Sequence, residues 1–135
     1  MSANPLILIV DDDVDTREMY AWCFEGHGFR VALAASVDQA IAQAAVETPD
    51  ALVTDYTLPG GDGFGLAETL RRAESGARAT MILVSGRDFT GEPRDRALRL
   101  FDRILLKPVL PDQLLDELLP MLDRRAADSA ATQGL

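Results

Sequence analysis

Short apolar runs alternate along this chain with segments whose apolar residues recur every three to four positions. "LILIV" at 6–10 is too short for a typical helix and rich in β-branched types. It predicts a strand buried on both faces. A helix is expected over residues 14–26, with Met19, Trp22 and Cys23 at i, i+3 and i+4 on one face. That spacing leaves open whether Trp22 is packed or exposed, and Cys23 is expected in the core. Gly26 and Gly28 are its stop signals, with His27 a loop residue near the helix end. "FRVAL" at 29–33 alternates more and reads as a weaker strand.

Ser36 followed by Gln39 has the form of a capping box. Val37, Ala40, Ile41, Ala44 and Ala45 then form one apolar stripe. "ALVTD" at 51–55 is the third strand, and "LPGGDG" at 58–63 is a loop in which Asp62 is a turn residue. Phe64, Ala67 and Leu70 mark a third helix, and "TMILV" at 80–84 is the fourth strand. A fourth helix opens near Pro93 and ends near Leu100, and "RILL" at 103–106 is the fifth strand. Pro111 opens a last helix with Leu114, Leu115, Leu118 and Leu119 inward, and Pro120 is expected to kink or end it. Residues 1–123 are thus expected to form one domain, and the small, polar residues 124–135 a disordered tail.

Five strands alternating with five helices predict an α/β fold, a parallel sheet with helices on both faces. Such sheets bind ligands beyond the carboxyl ends of their strands. Composition agrees with an ordinary soluble domain of 135 residues, 47% hydrophobic and 26% charged. No apolar run approaches the roughly 18 residues of a membrane span, and "MSANP" has no signal-peptide character. A single cysteine excludes an internal disulfide, and a single histidine excludes a multi-histidine metal site. A reducing cytoplasm is the expected location. The net charge of −9 argues against direct nucleic-acid binding.

The strand ends carry the chemistry. The first strand is followed by Asp11, Asp12 and Asp13; the third ends in Asp55, the fourth in Ser85 and the fifth in Lys107. In the order 2-1-3-4-5 these groups would converge on one crevice. Asp13 reads as a helix N-cap or first-turn acid. The other three carboxylates would repel strongly unless a hard divalent cation joined them, and Mg²⁺ suits a few carboxylates with water and a phosphate oxygen. Asp11, Asp12 and Asp55 against Mg²⁺ and Lys107 sum to zero charge. Lys107 is the single lysine in a chain whose other basic residues are arginines. A compact ammonium can enter a small crevice where a planar guanidinium fits poorly. This is equipment for phosphoryl transfer to a carboxylate.

"IVDDD", "LVTDYTLPGGDG", "ILVSG" and "LLKP" stand here in the order and spacing of a two-component response-regulator receiver domain, including Pro59 and Gly63 after Asp55. The sequence resembles that family, of stand-alone chemotaxis-receiver type, over residues ~5–122. The resemblance implies a flavodoxin-like fold. It makes Asp55 the phosphoacceptor, Asp11 and Asp12 the acidic pair, and Asp12 the direct ligand of Mg²⁺ (or Mn²⁺). Asp55 and the backbone carbonyl of Thr57 complete the metal ligands. It assigns Ser85 and Lys107 to the phosphoryl group and implies a cis Lys107–Pro108 bond. The implied partners are a sensor histidine kinase or histidine phosphotransfer protein and an unknown downstream protein. Homodimerisation is expected through the face of the fourth helix, fifth strand and fifth helix. With about a dozen residues after the last helix, the domain either works alone or is cut from a longer protein.

The sequence departs from the family pattern in its switch region. Ile104 stands where an aromatic residue is usual, three before the lysine. Leu100-Phe101 replaces a small pair, Gly86 replaces alanine and Val109 replaces phenylalanine. The phosphoacceptor side is complete while the reporting face is altered, so transmission of the state from Ser85 is expected by a route other than rotation of a ring at 104. The alternative reading is a degenerate receiver acting as a phosphorylation-independent interaction module. A hydrolase of the haloacid-dehalogenase type fails, because its Asp-x-Asp-x-Thr/Val motif is absent.

Overall fold

Side chains alternate across a strand, so a doubly buried strand must feed two cores. The computed structural model describes residues 4–73 and 78–133, with side chains as far as residue 127. Its elements are β1 (Leu6–Val10), α1 (Val14–Gly26), β2 (Arg30–Ala34), α2 (Val37–Val46), β3 (Ala51–Asp55), β4 (Thr57–Leu58), β5 (Gly61–Asp62), α3 (Gly63–Arg72), β6 (Thr80–Ser85), α4 (Gly91–Leu100), β7 (Arg103–Leu106) and α5 (Pro111–Gln133). The main sheet is parallel in the order β2-β1-β3-β6-β7. This is the expected 2-1-3-4-5 arrangement. The expected 58–63 loop contains the β4–β5 hairpin, which lies outside the main sheet.

Leu8, Val10, Leu52, Met81 and Leu83 pack on one face with Ala40, Phe64, Leu66, Leu70 and Ala97 from α2, α3 and α4. Ile7, Ile9, Val53, Ile82 and Val84 pack on the other with Tyr20 and Phe24 of α1 and Leu114, Leu115 and Leu118 of α5. Among the described residues no helix is long and apolar enough to cross a membrane.

Helix starts follow local chemistry. Asp13 caps α1 by accepting the Thr16 N–H (3.2 Å) and hydroxyl (2.5 Å). Ser36 caps α2 by accepting the Gln39 N–H, and Gln39 returns a bond to the Ala35 N–H, one residue earlier than in the usual box. Asp62, expected as a turn residue, caps α3 by accepting the Gly65 N–H.

Three expectations need correction, the first being Leu119, expected inward on α5 but exposed, while Leu114, Leu115 and Leu118 are buried. The inward face of α1 is Tyr20, Ala21 and Phe24; Met19 is 43% exposed, Cys23 is half-buried and Trp22 is 82% exposed. Tyr20 and Phe24 set the phase because the Tyr20 hydroxyl reaches the Val109 carbonyl at 2.6 Å while both rings enter the core. Helix α5 neither ends at Pro120 nor gives way to an irregular chain at 124, since helical backbone runs on to Gln133. Leu118, Met121 and Leu122 are buried on either side of the proline, so packing outweighs one lost backbone bond. Beyond it, Arg125 bonds to the Asp50 carboxylate (2.7 Å) and the Arg78 carbonyl (3.1 Å), and the alanine-rich sequence favours helix. Residues 134 and 135 of the expected tail lie outside the described residues.

The phase of α1 gives a direct test. Phe24→Ala should cost about 3–5 kcal/mol in urea unfolding, because Phe24 is fully buried. Trp22→Ala should change stability by no more than about 0.5 kcal/mol; a larger loss for Trp22 than for Phe24 would refute this assignment of faces.

Candidate functional site

Strand register gathers the polar residues. Val10 stands opposite Thr54, so the next residues, Asp11 and Asp55, leave adjacent strands together. Asp55 stands opposite Val84, which puts Ser85 one step further along the next strand. Ser85 stands opposite Leu106, and the Lys107 N–H donates to the Ser85 carbonyl at 2.8 Å. Four strand ends thereby deliver three carboxylates, a hydroxyl and an ammonium to one edge of the sheet.

Asp11, Asp12 and Asp55 each offer an oxygen lying within 4.8 Å of the others. Asp11 is buried, Asp55 half-buried and Asp12 exposed. The Lys107 ammonium donates to Asp55 Oδ2 at 2.9 Å and lies 3.6 Å from Asp11 Oδ2. Asp55 Oδ1 accepts the Tyr56 N–H at 2.7 Å, so both oxygens of this carboxylate are already oriented. Asp11 Oδ1 accepts the Asp13 N–H, and Arg17 donates to the Asp11 carbonyl at 2.7 Å.

Burial pushes the Asp11 carboxyl above its ordinary range, against the Asp13 N–H and the charge of Lys107, which pull it down. Burial alone would lower Lys107, but its hydrogen bond to Asp55 and the charges of Asp11 and Asp55 hold it above its usual value. It stays an ammonium at neutral pH. Three carboxylates and one ammonium leave two negative charges among hard oxygen ligands. That donor set fits Mg²⁺.

Gly63 explains the glycine eight residues after Asp55. A Cβ built there would lie 2.6 Å from the Asp55 carbonyl oxygen and 3.0 Å from Leu83 Cδ1. The Gly63 N–H donates to the Tyr56 carbonyl at 2.7 Å, closing the loop that carries Tyr56, Thr57 and the hairpin back under the site. Thr57 is exposed at the start of β4, opposite Asp62. The Lys107–Pro108 peptide is cis. Ile104 is half-buried against the core, opposite Leu83.

Ser85 is buried, and its hydroxyl donates to the Arg87 carbonyl and accepts the Arg87 N–H. The sequence reading brought Ser85 to the crevice and did not anticipate this engagement. It also missed the aromatic cluster beside the crevice. The Tyr56 ring stands edge-on to Phe64 and Phe89, each at 4.9 Å, and Phe64 lies 6.4 Å from Phe101. The signal for Tyr56 was its position directly after Asp55; nothing in the spacing of Phe89 tied it to that ring.

Residues 7–119 match the response regulator receiver domain family, and the chain belongs to it. Receiver domains are signalling modules of two-component systems that bind Mg²⁺ in an acidic pocket and interact with histidine kinases. The phosphate regulon transcriptional regulatory protein PhoB of Escherichia coli is 30% identical over 121 residues, covering 87% of this chain and 52% of that protein. The chain thus spans about half the length of this curated relative. A 14.6 kDa protein from the sodA1 3′ region of Leptolyngbya boryana is 36% identical over 110 residues, covering 81% and 83% of the two chains. The CheY-like receiver domain from Methanospirillum hungatei JF-1 superposes with a TM-score of 0.85 at 28% identity, covering 93% of this chain and 99% of that one.

The close approach at Gly63 yields an expectation for Gly63→Ala. The added methyl must displace backbone, so stability should fall by about 1–3 kcal/mol. The Tyr56 amide signal in NMR should shift with it, because the moved backbone carries the Asp55 carboxylate. Unchanged stability and spectrum would contradict the contact.

Proposed function

We propose that this domain accepts a phosphoryl group on Asp55 from the phosphohistidine of a sensor histidine kinase or histidine phosphotransfer protein, and that the phosphorylated state controls a partner protein. The observation carrying this reading is the Lys107 ammonium 2.9 Å from Asp55 Oδ2, inside a cluster of three carboxylates. An Asp55 oxygen attacks phosphorus; the O–P bond forms, the N–P bond breaks, and its electron pair stays on the imidazole nitrogen. Lys107 balances charge on the transferring group, and the Ser85 hydroxyl donates to a phosphoryl oxygen. Hydrolysis later returns the carboxylate and releases phosphate.

Asp11, Asp12, Asp55 and the Thr57 carbonyl would hold Mg²⁺, which supplies positive charge to the phosphoryl oxygens when bound. The surface of α4, β7 and α5, where Leu98, Leu106 and Leu110 are exposed, is the proposed readout and homodimer face. Ile104 favours a second reading, a domain that binds its partner without phosphate.

Incubation with acetyl phosphate and Mg²⁺ should add one phosphoryl group by intact mass, and Asp55→Asn should abolish the gain. Lys107→Ala should slow it by about 100-fold, the order of losing one charge-stabilising donor. No gain with acetyl phosphate or with a cognate kinase would overturn this reading in favour of the second. Mg²⁺ alone should raise the melting temperature of the wild-type protein by mass action. Asp12→Asn should lose that response, and an equal response in both proteins would exclude Asp12 as a ligand.

A further inference from the structure

The proposed reaction needs a proton that Ser85 has already committed. Serine has one O–H donor, and here it is directed to the Arg87 carbonyl at 3.0 Å, while the Arg87 N–H donates back to Oγ at 2.9 Å. To donate to an oxygen on Asp55, the hydroxyl must leave the Arg87 carbonyl, and residues 86–89 must rearrange.

Arg87 is anchored at its other end. Its guanidinium lies over the Tyr56 ring, 5.4 Å from the centroid, a cation–π contact. Tyr56 is fixed in turn by Phe64 and by Phe89, which is buried at the far end of the same loop. Phe64 also receives Arg96 of α4 at 5.1 Å, and Arg96 pairs with Glu68. A continuous set of contacts therefore runs from the Ser85 hydroxyl through Arg87, Tyr56 and Phe64 to α4.

The loop has room to move. A Cβ at Gly86 would meet nothing within 4 Å, and Gly91 at the start of α4 has φ +63°. Thr90, the α4 N-cap, makes no side-chain capping bond. Ile104 sits on the neighbouring strand with neither ring nor polar atom, so it can make no comparable contact.

We infer that the Arg87 side chain stacked on Tyr56 is a latch holding Ser85 in its inward hydrogen bonds, and that its release is passed to α4 through the Tyr56–Phe64–Arg96 contacts. This rests on the reading of Asp55 as phosphoacceptor. Arg87 is a positioning residue: its backbone holds the hydroxyl, and its side chain holds that backbone in place. Phosphorylation frees the guanidinium from the ring, and the ring then changes its contact with Phe64.

The test uses the full chain with three substitutions. Arg87→Met keeps length and removes charge, Arg87→Lys keeps a cation over the ring, and Tyr56→Leu removes the ring. Weakening the latch should speed phosphorylation by acetyl phosphate at fixed Mg²⁺ about twofold to fivefold, the range such an exposed contact supports. The Arg87→Met/Tyr56→Leu double variant should be no faster than either single, because both remove one contact. Arg87→Lys should restore the slower rate.

Beryllofluoride with Mg²⁺ should shift the NMR signals of the Tyr56 ring and the Arg96 side chain in the wild-type protein. In Arg87→Met the Tyr56 signal should already lie near its activated position. Unchanged rates in folded single variants, additive effects in the double, or a beryllofluoride response confined to Asp55 and Lys107 would overturn the latch. Failure of the underlying reading looks different: the wild-type and every variant would then be inert to both reagents, and both inferences would fall.

Discussion

Like charges do not collect at the edge of a low-dielectric sheet without something to hold them. Two carboxylates 4 Å apart repel by about 4 kcal/mol at the effective dielectric of a protein surface, and this site holds three. The strands impose the crowding, because their register leaves no other exit for Asp11 and Asp55. Lys107 meets both carboxylates from the far side, and backbone N–H groups from Asp13 and Tyr56 absorb one oxygen of each. What remains is an incomplete balance, two negative charges on hard oxygen ligands, the kind of donor set that suits a divalent cation.

The rest of the molecule keeps the acids from relaxing apart. Two apolar layers clamp the sheet, each built from alternate residues of the same strands. Gly63 lets α3 start against the backbone of Asp55 itself. At the opposite end of the sheet Asp50 accepts the Leu6 N–H and the Arg125 guanidinium, tying β1, the start of β3 and the late turns of α5 together. A shift of one strand would disturb both ends, so the geometry of the acids is an attribute of the whole sheet.

Four of the five main strands were legible as short apolar runs and the second, at 29–33, only as a weaker alternating one, while the order 2-1-3-4-5 was the arrangement under which the polar strand ends would meet. Capping residues were legible as well, since Asp13 and Ser36 act within three positions of themselves. The phase of α1 was not. Met19, Trp22 and Cys23 have the spacing of a core face, yet Tyr20 and Phe24 win through a hydroxyl bond to a residue 89 positions away. The length of α5 was hidden for a similar reason: Pro120 argues locally against helix, and the burial that overrides it is tertiary. The acids and Lys107 could be read from strand ends, while the engagement of Ser85 by its own loop and the rings around Tyr56 depend on contacts between segments with no shared periodicity.

The single lysine has a consequence for anyone handling the protein. Apart from the chain's own amino terminus, the one primary amine is the one in the crevice, with its side chain 36% exposed. Among amine side chains, an acylating reagent therefore addresses the site, more slowly than it labels the less basic α-amino group, and the speed of acylation at Lys107 reads how tightly the two aspartates hold their counter-ion. The composition has left the molecule with a built-in chemical probe at the place where its charge balance is decided.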